Sequence, residues 1–136
     1  MKNQPHLDYA DAQRIVTAST DAASALGIAA SIAVLDPTGH LIFLARMDGA
    51  SFQTPDVARG KALTSAMMKK PSGVIETATL ARLTLASFDD GRLPIQGGLP
   101  VFSGEHMVGA VGVSGGTPDQ DEAIARAGID AWAINA

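Results

Sequence analysis

The sequence predicts an α+β fold in which helices cover an antiparallel sheet, and three observations carry that expectation. Two pairs of apolar runs are each joined by a tight-turn signature, so their strands are hairpin-linked and antiparallel. Residues 8–26 place Ala12, Ile15, Val16, Ser19, Ala22, Ala23 and Leu26 on one helical stripe. Two later segments open with the same tripeptide, Thr54-Pro55-Asp56 and Thr117-Pro118-Asp119, a helix-start signal with Pro in the first turn and an acid at the positive dipole end.

Taken in order, Asp8 caps the first helix and Gly27 ends it. The apolar runs 28–36 and 40–46 flank Asp36-Pro37-Thr38-Gly39, whose residue types suit a type I turn. A loop from Met47 to Gln53 leads to a second helix that reaches about Met68 and must stop before Pro71. Ser72 opens a third helix reaching about Leu85. Residues 86–98 are the least regular stretch and are expected to hold a loop with a short strand. A second hairpin follows, 99–102 and 106–113, turning at Ser103-Gly104-Glu105, and the last helix starts at Pro118. Thr117 and Gln120 stand where a capping box wants them. The sheet is thus expected to have about five strands, with helices on its faces.

The length of 136 residues suits one domain spanning 1–136 with a substantial core. Hydrophobic residues make up 46% and aromatics only 4%, so that core is built from small and aliphatic side chains with close backbone approaches. The net charge of −4 argues against nucleic acid as the main partner, because phosphate binding needs a basic face. The absence of cysteine excludes disulfides, thiolate metal sites and cysteine nucleophiles. The N-terminal stretch lacks the apolar centre of a signal peptide, and the longest apolar run is too short to span a bilayer. A soluble, cytoplasmic protein without a membrane partner is expected.

The most informative stretch is 108–122, an apolar strand running into a Gly-rich turn and then a strongly capped helix. Such a junction aims backbone N–H groups at whatever occupies the turn. Its bland alternative is a tight connection. Ser114 lies in Gly112-Val113-Ser114-Gly115-Gly116, but the parallel βαβ context of a nucleophile elbow is missing, which argues against hydrolase chemistry. Walker and dinucleotide-binding patterns are not met either. Arg46-Met47-Asp48-Gly49-Ala50 delivers a guanidinium to a loop, where it either binds a carboxylate or phosphate or simply pairs with Asp48. Asp56 and Arg59 share a helix face and can pair. Lys61, if it faces a pocket, can bind an acid group or move a proton; a solvated lysine is the commoner outcome. His6, His40 and His106 have no metal-ligand spacing, so no metal site is expected. His6, in an N-terminal arm, is the histidine able to reach a cofactor axially.

With these segments in place, the sequence resembles the GlcG/HbpS family of haem-degrading-type proteins, which includes the C-terminal domain of PduO-type proteins. The match is carried by Val34-Leu-Asp-Pro-Thr-Gly-His-Leu41, Arg46-Met-Asp-Gly-Ala50, Asp56-Val-Ala-Arg-Gly-Lys-Ala62, and Gly97-Gly-Leu-Pro100 with Val108 to Ala123. The resemblance implies a central antiparallel sheet flanked by helices, in a profilin- or PAS-like layout, and a homo-oligomer. Its shared residues map to Arg46, Asp48, Asp56, Lys61, Gly97, Gly98, Gly112, Ser114, Gly115 and Gly116.

Two functional expectations follow. The first, implied by the resemblance, is a small-ligand-binding protein that takes haem or a related tetrapyrrole, with Arg46, Lys61, Gly97, Gly98, Ser114, Gly115 and Gly116 as the ligand-binding set. The alternative is a cofactor-independent lyase, isomerase or hydratase acting on a small carboxylate in a catabolic pathway. There Arg46 would hold the acid group and the amides of 114–116 would stabilise an oxyanion. Asp48, Asp56 or Lys61 would move the proton.

Overall fold

The computed structural model describes residues 4–136, so the first three residues of the expected 1–136 domain lie outside it. The element order is α1 (Tyr9–Ala25), β1 (Ser31–Leu35), β2 (Leu41–Arg46), α2 (Thr54–Met68), α3 (Ser72–Ala81), a 3-10 turn (Leu83–Ala86), β3 (Gly98–Ser103), β4 (His106–Ser114) and α4 (Pro118–Ile134). The strands form one antiparallel sheet in the order β2-β1-β4-β3.

Among the described residues the sheet has four strands, where about five were expected. The short strand anticipated within 86–98 is absent because that segment's backbone is satisfied elsewhere. Leu93 N–H donates to Gly60 O at 2.9 Å and Thr64 Oγ1 donates to Leu93 O at 2.8 Å. Ser72 Oγ donates to Ile95 O at 2.6 Å, and Gln96 N–H donates to Glu76 Oε1 at 2.7 Å. The stretch is pinned to α2 and α3 instead of to a strand. The expected helix from Ser72 to about Leu85 is likewise interrupted at Arg82, whose φ of −137° and ψ of 89° lie outside the helical range.

Residue alternation along the strands assigns each sheet face. Ile32, Val34, Leu99, Val101, Val111 and Val113 point toward α1 and α4, where they meet Ile15, Val16, Ile124, Ile129 and Trp132. Trp132 Nε1 donates to Asp11 Oδ1 at 3.1 Å, satisfying the indole where it packs between the two helices. The other face carries Ala33, Leu35 and Ala110 against Ala58, Ala62 and Ala66 of α2. Small residues on both sides let α2 lie unusually close to the sheet. A Cβ at Gly112 would run into Ala58 O, and one at Gly98 would run into Lys61 O. Gly98 and Gly112 are register partners on β3 and β4, so together they form the bare seat on which α2 rests.

The first hairpin turns as expected. Asp36 Oδ1 accepts from Thr38 N–H at 2.8 Å, Thr38 Oγ1 at 2.6 Å and His40 N–H at 3.1 Å. Partial burial raises the Asp36 carboxyl, but these hydrogen bonds, with the nearby His40, outweigh it and hold the group below the ordinary carboxylate value.

Candidate functional site

β2 delivers Arg46 to the end of the sheet opposite Ser31, and a compact loop then turns the chain into α2. Ala50 N–H donates to Met47 O at 3.1 Å, and Gly49 takes a φ of 90°, a left-handed conformation that closes the turn at little steric cost. Arg46, Gly49, Ala50, Ser51 and Phe52 line an open groove of about 450 Å³. Phe52 is 87% exposed, and the Arg46 guanidinium carbon sits 5.4 Å from its ring centroid. The pair offers a flat aromatic surface beside a permanent cation, suited to stacking a planar group and holding an anionic substituent. Arg46 therefore stands over Phe52; the Arg46–Asp48 ion pair weighed from sequence is not formed among the described residues.

Phe52 was not singled out from the sequence, although it is one of only four phenylalanines and stands in a polar loop. Nothing local in the sequence marks it, since a single exposed aromatic is ordinary; Phe52 gains meaning only from the Arg46 cation beside it.

Asp56 lies in a separate, smaller and more enclosed groove of about 350 Å³ with Arg59, Gly60, Leu63, Asp90 and Gly91. It does not pair with Arg59 among the described residues. On the rim, Arg92 donates to both oxygens of Asp90 and lies 3.8 Å above the Phe88 ring. The Arg92 guanidinium holds the Asp90 carboxyl below its ordinary value.

Lys61 is neither solvated nor turned into a groove. It is 3% exposed, and its Nζ donates to Asp121 Oδ2 at 2.9 Å and to Val113 O at 3.0 Å. Asp121, 2% exposed, uses its other oxygen to accept from Gly116 N–H at 2.8 Å. Asp121 was not singled out from the sequence; its buried partner is sixty residues away in the chain and leaves no local signal.

This network also engages the Gly-rich turn. Gly116 N–H is held by Asp121 and Thr117 N–H by Gln120 Oε1 at 2.9 Å, so the amides at the start of α4 bond side chains of that same helix. Gly97 has a φ of 133°, and a Cβ there would lie 2.8 Å from Lys61 Nζ. Gly115 has a φ of 151°, and a Cβ there would lie 2.5 Å from Ala29 O. Gly97, Gly98, Gly112 and Gly115 thus have a full packing account. Ser114 ends β4, buried and opposite Ser31.

The residues named from sequence therefore fall into three places: Arg46 in the Phe52 groove, Asp56 in the Asp90 groove, and Lys61 inside the protein. Asp48 is exposed on the loop and lines neither groove. His6, His40 and His106 also lie outside both grooves, and His6 Nδ1 is within 3.1 Å of Gln4 O. No three potential metal-ligating His, Cys, Asp or Glu residues cluster among the described residues. No described helix is long and apolar enough to cross a membrane.

A sheet covered by helices on both faces, with an aromatic–guanidinium groove at the end of an edge strand, defines a small α+β protein with a surface suited to planar, anionic ligands. The chain belongs to the HbpS-like family: the model described as "Haem degrading protein HbpS-like" matches residues 7–130. Protein GlcG of Escherichia coli is 32% identical over 114 residues, covering 84% of this chain and 85% of GlcG. The crystal structure of a double mutant of Streptomyces reticuli HbpS superposes with a TM-score of 0.91 at 32% identity, covering 96% of this chain and 89% of HbpS. The PduOC:heme complex shares the fold at a TM-score of 0.85 and 24% identity, over 93% of this chain and 94% of PduOC.

Proposed function

We propose that this protein binds haem or a related tetrapyrrole, as a homo-oligomer, and that the Arg46–Phe52 groove is where the ligand docks. The observation that carries this reading is the exposed Phe52 face beside the Arg46 guanidinium in an open groove. Support for the ligand class comes from the haem-degrading family to which the chain belongs and from the haem held by PduOC on the same fold.

The residues fit such a ligand by their chemistry. Haem supplies a flat macrocycle carrying two carboxylates. Phe52 offers a stacking face, and Arg46 offers donors in a planar fork that suits a carboxylate. Gly49 and Ala50 leave the groove floor without bulky side chains. No histidine lines this groove, so the protein's grip there rests on face and carboxylate contacts. No observation favours the lyase-type alternative. Its acid–base residues lie in separate places, and one of the amides it would need, Gly116 N–H, already holds the Asp121 carboxylate.

Titration of the purified protein with haemin, followed by absorbance, tests the reading. The expected result is a saturable Soret shift. Arg46→Ala and Phe52→Ala should each weaken binding about tenfold or more, since a charge-assisted bond is worth about 1.5–3 kcal/mol and stacking a comparable amount. A featureless, non-saturating titration overturns the ligand. Unchanged affinity in both variants overturns the groove.

A further inference from the structure

The two walls of the Arg46–Phe52 groove come from different elements. Arg46 ends β2, whereas Phe52 stands in the loop that leads into α2. A cation–π contact between exposed side chains is too weak to hold two elements in place by itself. The stronger tie lies beneath them. Ser31 on β1 is the register partner of Arg46 on one side and of Ser114 on the other, so the three side chains share one face of the sheet. On that face α2 presents Thr54, one residue inside its start, where the hydroxyl is not spent on capping.

Ser31 and Thr54 are both buried, with their hydroxyl oxygens 2.8 Å apart, and Thr54 Oγ1 is also 2.8 Å from Ser51 O. A carbonyl only accepts and a threonine hydroxyl has one proton, so Thr54 donates to Ser51 O and accepts from Ser31. The chain of bonds therefore has one direction, Ser31 to Thr54 to Ser51 O. Thr54 N–H donates to the same carbonyl at 3.1 Å. Ser51 lines the groove and its carbonyl belongs to the peptide that leads into Phe52. The strand beside the guanidinium is thus fastened to the peptide that carries the aromatic ring.

We infer that Ser31 and Thr54 are positioning residues for the ligand: their buried hydroxyl chain holds the Phe52 face at its distance from Arg46, so the groove is set before a ligand arrives. The inference rests on the docking reading above and deepens it. Neither residue lines the groove, and both act through Ser51. A loop already ordered in the free protein spares the ligand the entropy of ordering it, which is how a residue out of reach of the ligand strengthens binding.

Two readouts test the role. Amide hydrogen exchange without ligand reads the loop at Ala50, whose N–H donates to Met47 O, and at position 54, whose N–H donates to Ser51 O. Haemin titration reads the groove. Thr54→Val should speed exchange at both amides and weaken haemin binding about three- to tenfold, the scale of one hydrogen bond. Ser31→Ala removes the donor but leaves Thr54 on Ser51 O, so it should shift both readouts the same way by less; it carries the comparison if Thr54→Val does not fold. Thr54→Ser should restore both. Thr117→Ala removes the other helix-start hydroxyl, outside the groove, and should leave both unchanged, which separates positioning from a general loss of stability. If Arg46→Ala and Phe52→Ala weaken haemin binding while Thr54→Val and Ser31→Ala do not, or if Thr117→Ala weakens it equally, the positioning role is overturned and the groove stands. Unchanged exchange in Thr54→Val and Ser31→Ala overturns the hydroxyl chain whatever the ligand. A wild type that takes up no haemin overturns the docking reading and the role toward that ligand, while the exchange rates still decide whether the chain holds the loop.

Discussion

The same tripeptide opens two helices and does different work in each. At Thr117-Pro118-Asp119 the threonine is a true N-cap, extended and exposed, and it closes a reciprocal capping box. Its Oγ1 accepts from Gln120 N–H at 3.3 Å, while Gln120 Oε1 accepts from Thr117 N–H. At Thr54-Pro55-Asp56 the threonine already lies inside the helix, and the capping residue, Gln53, makes no side-chain bond. Thr54 is 4% exposed; its hydroxyl donates to Ser51 O and shares a 2.8 Å hydrogen bond with Ser31 Oγ on β1. One threonine thus completes its own helix, and the other fastens its helix to the sheet. A short motif announces a helix start, but burial decides which partner the hydroxyl takes.

Lys61, midway along α2, and Asp121, in the first turn of α4, join these two helices, so breaking their pair should have the largest effect. Asp121→Ala leaves a buried, uncompensated lysine and frees Gly116 N–H; a loss of about 3–5 kcal/mol in denaturant unfolding is expected. The double change Lys61→Met with Asp121→Leu should recover most of that loss. If it does not, Asp121 matters chiefly through its bond to Gly116.

Thr54→Val comes next. It removes a buried hydroxyl while keeping the shape, strands Ser31 Oγ, and should cost about 1–3 kcal/mol. Thr117→Ala should cost about 1 kcal/mol, the ordinary worth of an exposed cap. Equal losses at the two sites would erase the contrast between anchor and cap. The smallest effects belong to the acids. Asp56→Asn and Asp119→Asn should each cost about 0.3–1 kcal/mol at low ionic strength, and the Asp56 loss should fade in added salt because its carboxylate is exposed and acts only through the helix dipole. Asp119 also accepts from Gln96 Nε2 at 3.0 Å, so part of its loss should persist.

Much of the fold was legible because its signals are local. The helical stripe of α1, the Asp36 turn, the stop before Pro71 and the capping box at Thr117 each depend on residues a few positions apart, and each element stands within a few residues of its expected place. The segment 86–98 was not legible, because its hydrogen bonds go to α2 and α3 and not to a neighbour in sequence. Nor did anything local mark the break at Arg82.

The candidate site divides in the same way. Arg46 was singled out because a guanidinium at a strand end beside Gly49 is a local pattern, whereas Phe52 becomes notable only once the loop leaves it uncovered. Asp121 was not singled out, because its buried partner is distant in the chain. By itself the sequence determined the antiparallel hairpins, the helix starts, the small-residue core and the family, since periodicity, turn chemistry and motif order are properties of the chain as written. Only the tertiary structure decided that Lys61 is an internal strut and not a ligand-facing cation. It also decided that Gly98 and Gly112 are a seat for α2, and that of two identical tripeptides one caps and one anchors. Burial and partners distant in the chain set those outcomes, and neither is encoded in any short stretch of residues.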